Sequence, residues 1–221
     1  AHQFKNGESL RTYLLERLHS ENEDSKARVL DYTSARFNRE KSDFFRLCGG
    51  SLGGKARGLG FARSMLKSSG IQKKFNEINI RVPRCAVIGT DEFDRFMKDN
   101  HLWDMALGDI NDNDLVKKFI KARLSIDLIL RLESFIKENN YPLAVRSSSL
   151  LEDSQYQPLA GTYETYMLSN NSRSDKKRLK ELTIAIKKVF ASTFKGEARA
   201  LLKNTAHRIE EEKMAILIQE I

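Results

Sequence analysis

Gly49-Gly50-Ser51-Leu52-Gly53-Gly54-Lys55 decides how this chain is read, because a glycine cluster closing on a lysine runs directly into a helical pattern. Leu59, Phe61, Ala62, Met65 and Leu66 fall at helix spacing after it, and Gly70 marks the helix end. Glycines let backbone N–H groups come close to a phosphate, and a lysine at a helix start adds positive charge there. The segment fits the first seven positions of the P-loop pattern, Gly49-x-x-x-x-Gly54-Lys55, but the eighth is Ala56 instead of a magnesium-binding Ser or Thr. The preceding Asp43-Phe44-Phe45-Arg46-Leu47-Cys48 also reads as a poor buried parallel strand. The segment is therefore not read as a P-loop, although its phosphate-binding physics survives. The bland alternative is a flexible linker ahead of a helix.

Working outward, residues 1–45 are polar and charged, with Leu10, Tyr13, Leu14 and Leu18 at helical spacing, and read as a helical N-terminal extension. Downstream, Ile78 to Ile88 is rich in β-branched residues and contains Pro83, which predicts one strand or two short ones. Thr90-Asp91-Glu92 is a helix start with Thr90 as the cap and acids in the first turn. Helices are expected over 112–124 and 126–138. A strand follows, Leu143-Ala144-Val145 running into Arg146-Ser147-Ser148-Ser149. Residues 150–161 read as a loop and Thr162 to Leu168 as a strand. An amphipathic helix broken near Gly196 fills 174–206, and Met214 to Ile218 is a buried strand. The fold class is α+β, with short strands and helices mixed.

The composition narrows the function. No apolar run approaches the roughly 18 to 20 residues that span a bilayer, and the first residues, Ala1-His2-Gln3-Phe4-Lys5-Asn6-Gly7, have no signal-peptide core. Cys48 and Cys85 are the only cysteines, too few for a disulfide framework or a zinc site, which suits a reduced, cytoplasmic setting. The formal charge of +8 fits either nucleic acid or a polyphosphate pocket. Its basic residues are scattered beside acids, as in Lys176-Lys177-Arg178 followed by Lys180-Glu181, with no aromatic-interleaved stripe. They read as solvated helix faces, so neither nucleic acid nor a membrane is expected as a partner.

Two further constellations join the glycine cluster. Ala144-Val145-Arg146-Ser147-Ser148-Ser149 ends a strand in a planar cation with hydroxyls, which suits phosphate oxygens. Ala160-Gly161-Thr162-Tyr163-Glu164-Thr165 is a glycine turn opening a strand. Each alone is ordinary. Together and in this order, they resemble the N-terminal nucleotide-binding domain of the phosphoenolpyruvate synthase and pyruvate phosphate dikinase family, an ATP-grasp fold. Gly53-Gly54-Lys55 fits the family's early Gly-Gly-Lys, and Val82-Pro83-Arg84-Cys85-Ala86-Val87-Ile88 with Glu92-Phe93 its Val-Pro segment. Val145-Arg146-Ser147-Ser148 with Glu152-Asp153 fits its Val-Arg-Ser-Ser element. Ala191-Ser192-Thr193-Phe194 and Ile216-Leu217-Ile218-Gln219-Glu220 complete the series. The resemblance covers residues 46–221, the N-terminal part of the domain, cut at its adenine hinge.

The resemblance implies that Lys55 and Arg146 contact the triphosphate of ATP as the catalytic cations. Gly161 and Thr162, with the Thr165 hydroxyl nearby, would close over the transferred phosphates. Gln219, Glu220 and Ile221 would be the hinge whose backbone reads adenine. It also implies a magnesium ion, with ligands and a second phosphate-binding arginine beyond residue 221, and no metal ligand within the chain. A phosphohistidine domain and an acceptor-binding domain of the same longer chain would be partners, since His2, His19, His101 and His207 lie outside the family's phosphorylated motif. The intact enzyme would pass a phosphoryl group from ATP through a histidine to pyruvate or a related acceptor, and this part alone would be inactive. The chain departs from the family at Ala56, Gly58 and Thr162, none of which removes a charge. The rival readings are a non-catalytic nucleotide-binding or regulatory module of the same fold and, from composition alone, a basic RNA-binding domain.

Overall fold

Phe45, Leu47, Ala86, Ile88, Val145, Ile216 and Ile218 all lie on strands, and none is more than 2% exposed. Side chains alternate along a strand, so these residues give one sheet face an apolar surface that helices must cover. The computed structural model describes residues 30–31, 43–75, 77–149, 161–203 and 208–221. The chain divides into two units, one taking residues 1–29 and 59–82 and the other residues 30–58 and 83–221. The first contains most of α1 (Gly53–Ser68), then Gly70 in the left-handed region (φ 60°) and the single turn α2 (Ile71–Lys74).

The second unit carries the sheet. Its strands are β1 (Leu30–Asp31), β2 (Phe44–Cys48), β3 (Cys85–Ile88), β4 (Leu143–Ser149), β5 (Thr165–Leu168) and β6 (Met214–Glu220), in the spatial order β1-β2-β3-β6-β4-β5. The β1–β2 and β2–β3 pairs are parallel, whereas β3–β6, β6–β4 and β4–β5 are antiparallel. It follows that β2, β3 and β4 run the same way and end at one edge of the sheet. Helices α3 (Thr90–Asp99), α4 (Trp103–Leu107), α5 (Asp112–Lys121), α6 (Ile126–Glu138), α7 (Asp175–Ser192) and α8 (Gly196–Leu202) supply the rest of the core. Phe93 and Phe96 of α3 meet Phe190 of α7 with ring centroids 5.2 and 5.4 Å apart, and Phe119 of α5 meets Phe194 at 5.9 Å. Tilted and edge contacts of this kind add to the hydrophobic gain of burying rings. None of the helices is long and apolar enough to cross a membrane among the described residues.

Start signals in the sequence account for three of the helices. Asn111, Ser125 and Ser174 each accept a hydrogen bond from an N–H of the first turn, at Asp114, Leu128 and Lys177. Several expectations need correction. Phe44–Cys48 is a buried parallel strand after all, with Phe45 and Leu47 facing the core and Arg46 on the other face. Thr90 does not cap α3. Gly89 holds the cap position, while the Thr90 hydroxyl accepts from the N–H of Ser51 at 3.0 Å. The segment 78–88 is strand only over Cys85–Ile88. The long helix breaks near Gly196 as expected, at Thr193–Lys195. Within the expected N-terminal extension, Leu30–Asp31 and the start of β2 are strand, and its other residues up to 42 lie outside the described ones. Residues 150–160, with Glu152 and Asp153, also lie outside them.

Candidate functional site

The glycine cluster sits between β2 and α1, and the fold spends most of its glycines on close packing. Gly50 has φ +92°, and a Cβ there would lie 2.5 Å from the N atom of Asp91. The loop is tied to the start of α3 by reciprocal bonds: Ser51 N–H donates to the Thr90 hydroxyl, and Thr90 N–H donates to the Ser51 carbonyl, both at 3.0 Å. Gly53, at φ +73°, lies against β4 so closely that a Cβ would fall 1.6 Å from the Ser148 carbonyl oxygen. The Ser148 hydroxyl completes the joint by donating to the Leu52 carbonyl (2.8 Å) and accepting from Ala56 N–H (3.1 Å). One α1 N-terminal donor is thus satisfied by a side chain of β4.

This joint aims Lys55. Its Nζ donates to the Ser147 hydroxyl at 3.1 Å, which brings the lysine to the residue next to Arg146 on β4. Arg146 lies on the sheet face away from the helical core, paired across the strands with Leu217 on one side and Thr165 on the other. Its Nη1 donates to Gln219 Oε1 at 3.0 Å, and the Thr165 side chain is exposed. Arg146, Thr165 and Gln219 therefore share one face of the sheet, whereas Lys55 reaches β4 at Ser147, which points to the alternate side. Gly161 (φ +80°) begins the approach to β5, with none of the described residues within 4 Å of where its Cβ would be, and Thr162 after it is buried. Glu220 and Ile221 lie at the other end of β4. Glu220 N–H donates to the Arg84 carbonyl (2.9 Å), and Ile221 N–H to the Pro142 carbonyl (3.2 Å). Leu143, opposite Glu220, is four residues from Ser147, about 13 Å of strand at ~3.3 Å per residue.

Titratable groups under the glycine loop are structural. Burial pushes the Cys48 thiol up to about 12, helped by the nearby Glu92 charge, so it stays protonated at neutral pH and is no nucleophile. Burial likewise raises the Glu92 carboxyl, against the bonds it accepts from Ser125 N–H (3.0 Å) and Ser125 Oγ (2.8 Å). Among the described residues no group of three or more His, Cys, Asp and Glu side chains is placed to hold a metal ion. Sequence reasoning missed Ser147 and Ser148 as partners of the lysine and its helix. The run Arg146-Ser147-Ser148-Ser149 was the signal, but nothing local says which hydroxyl meets which partner.

A sheet edge carrying a glycine-bound helix start, a lysine and a half-buried arginine is an arrangement suited to an anion with several phosphates. Over residues 50–221 the chain matches the family described as the pyruvate phosphate dikinase, AMP/ATP-binding domain, and it belongs to that family. It is also similar to the "uncharacterized phosphotransferase YvkC" of Bacillus subtilis (strain 168), with 30% identity over 149 residues. That match takes in 66% of this chain but only 16% of the relative.

Proposed function

We propose that this chain binds ATP as the front part of an ATP-grasp domain, within a phosphoenolpyruvate synthase-like phosphotransferase. The observation that carries the reading is that Lys55 reaches β4 at Ser147, one residue along the strand from Arg146 though on the alternate side, in a chain of the AMP/ATP-binding family. The triphosphate lies toward the glycine-loop end, where Lys55 and Arg146 neutralise it and Gly161, Thr162 and the Thr165 hydroxyl close on the transferred phosphates. The base lies toward Gln219, Glu220 and Ile221. The backbone of these residues would read the adenine, although the N–H groups of Glu220 and Ile221 already bond Arg84 and Pro142.

Catalysis at such a site is positional and electrostatic. Lys55 donates to a neutral hydroxyl and Arg146 to a neutral amide, and at each contact a phosphate oxygen is the stronger, charge-assisted acceptor. A magnesium ion bound with ATP would add charge neutralisation at the phosphates. The wider reaction is part of the same proposal: phosphoryl transfer from ATP to a histidine on another domain, and from there to pyruvate or a related acceptor.

The test is calorimetry on the full-length protein with ATP and with adenosine. Lys55→Met weakens ATP by about tenfold or more, one charge-assisted contact, and leaves adenosine within twofold. Equal loss for both ligands at an unchanged fold removes Lys55 from the phosphates. No ATP binding by the unaltered protein ends the proposal.

A further inference from the structure

Glu164 stands immediately before β5 and is held from two sides. Its N–H donates to the Ser192 hydroxyl at 3.3 Å, and that hydroxyl in turn donates to the Val189 carbonyl at 2.7 Å. Its carboxylate accepts from Tyr166 Oη and pairs with Lys195 Nζ, the two side chains of the pair being 31% and 24% exposed. Lys195 is fixed at its own end. It caps α8, its carbonyl accepts from Arg199 N–H at 2.9 Å, and Gly196 N–H beside it donates to Asp112 of α5 at 3.0 Å. The ion pair therefore joins the turn that enters β5 to the rigid α7–α8 junction.

Alternation gives that anchor a consequence on the opposite face. Glu164 and Tyr166 point to the helix-covered side of the sheet, where Tyr166 packs on the core. Thr165 between them points to the side of Arg146, its partner across β4. A strand free to slip by one residue would turn Thr165 inward, and strand register is only as firm as what pins it. β5 is four residues long, and Met167 on the Thr165 face is 65% exposed. Burial on that face contributes little, so the pinning comes from the helical side, where Tyr163, Tyr166 and Leu168 pack on the core and Glu164 is ion-paired.

We propose that Lys195 is a positioning residue of the nucleotide site: by holding Glu164 on the helical side, it sets the Gly161–Thr165 turn where the phosphates of ATP are bound. This rests on the ATP reading given above. Lys195 itself does not touch the nucleotide. Its effect reaches the phosphates through the turn and leaves the base untouched.

The experiment compares Lys195→Met, Lys195→Arg, Glu164→Gln and the Lys195→Met/Glu164→Gln double variant in the full-length protein, titrated with ATP and with adenosine. Each neutralising substitution weakens ATP by about tenfold, as misplacement of a phosphate-binding group does, while adenosine stays within twofold. The double variant is no worse than either single one, and Lys195→Arg keeps most of the affinity. Equal losses for ATP and adenosine, or an unchanged ATP affinity, overturn the proposal. If Lys195→Met does not fold, Lys195→Gln, which keeps a hydrogen-bonding end without the charge, decides by the same criteria. Arg146→Ala is run alongside. ATP affinity lost there but not in the Lys195 variants sinks the anchor alone, whereas ATP affinity insensitive to Arg146 sinks the site reading itself.

Discussion

Gly53 and Ser148 touch through atoms that leave no room for a side chain, and stability at this joint is sensitive to a single methyl group. A Cβ on Gly53 would lie 1.6 Å from the Ser148 carbonyl oxygen, in a backbone conformation of φ +73° that disfavours any L side chain. Gly53→Ala should therefore destabilise by at least ~3 kcal/mol, since β4 and α1 must separate and the Ala56–Ser148 bond is lost. Gly58, in the same helix, has none of the described residues within 4 Å of its would-be Cβ. Gly58→Ala should stabilise by about 0.5–1 kcal/mol. Urea unfolding of both variants checks the contrast, and two similar values would refute the packing argument. Arg146→Ala should cost ATP about 1.5–3 kcal/mol of binding as one charged hydrogen-bonding partner, and calorimetry on the folded variant reads it. At this scale the sequence was partly legible. The lysine and arginine stand in short runs whose chemistry shows locally. The Lys55–Ser147 bond joins residues 92 apart, and no local pattern announces it.

Elements are tied together by polar joints as well as by the core, and the buried Glu92 is one that titrates. It rises from α3 to accept two bonds from Ser125 at the start of α6, with Arg95 3.8 Å away on its own helix. Burial lifts its folded pKa above the ordinary 4.5, so the folded protein binds this proton more tightly than the unfolded chain. The contribution of Glu92 to stability is then greatest below about 4.5 and shrinks as pH rises through the folded value. In denaturant titrations, the advantage of the wild-type protein over Glu92→Gln should fall as pH goes from 5 to 8. A constant difference, or one that grows with pH, contradicts the sign. Element by element, the helices expected over 112–124, 126–138 and 174–206 were legible, and Asn111, Ser125 and Ser174 cap them in the fold. β2 was misread because Arg46 interrupts an otherwise apolar run. In the fold that arginine merely occupies the face away from the helical core, in register with Val87. Thr90 was misread for a related reason: its hydroxyl is claimed by Ser51, a residue of the preceding loop that approaches only in three dimensions.

Across the whole molecule, a formal charge of +8 has to be set against a proposed ligand that is a single nucleotide. Many of the cations are engaged along helix faces, as in the pairs Lys117–Asp114, Arg131–Asp127, Lys137–Glu133 and Lys177–Glu181. Exposed pairs of this kind contribute little to stability, but they break up any continuous positive track. The two cations assigned to phosphate are Lys55 and Arg146, set by hydrogen bonds to a hydroxyl and an amide on neighbouring strands. Salt separates the possibilities by magnitude. A single-stranded RNA held through six phosphate contacts loses ~300-fold in affinity between 50 and 200 mM salt, whereas a ligand held by two cations loses less than about tenfold. The full-length protein should therefore follow the shallow dependence with ATP, and should show no measurable binding of a 20-nucleotide RNA at the upper salt concentration. Fluorescence anisotropy with labelled RNA and calorimetry with ATP make the comparison. A steep RNA slope with tight binding at low salt would mean that the charge serves nucleic acid, and a steep slope for ATP would mean that more cations surround the triphosphate than these two.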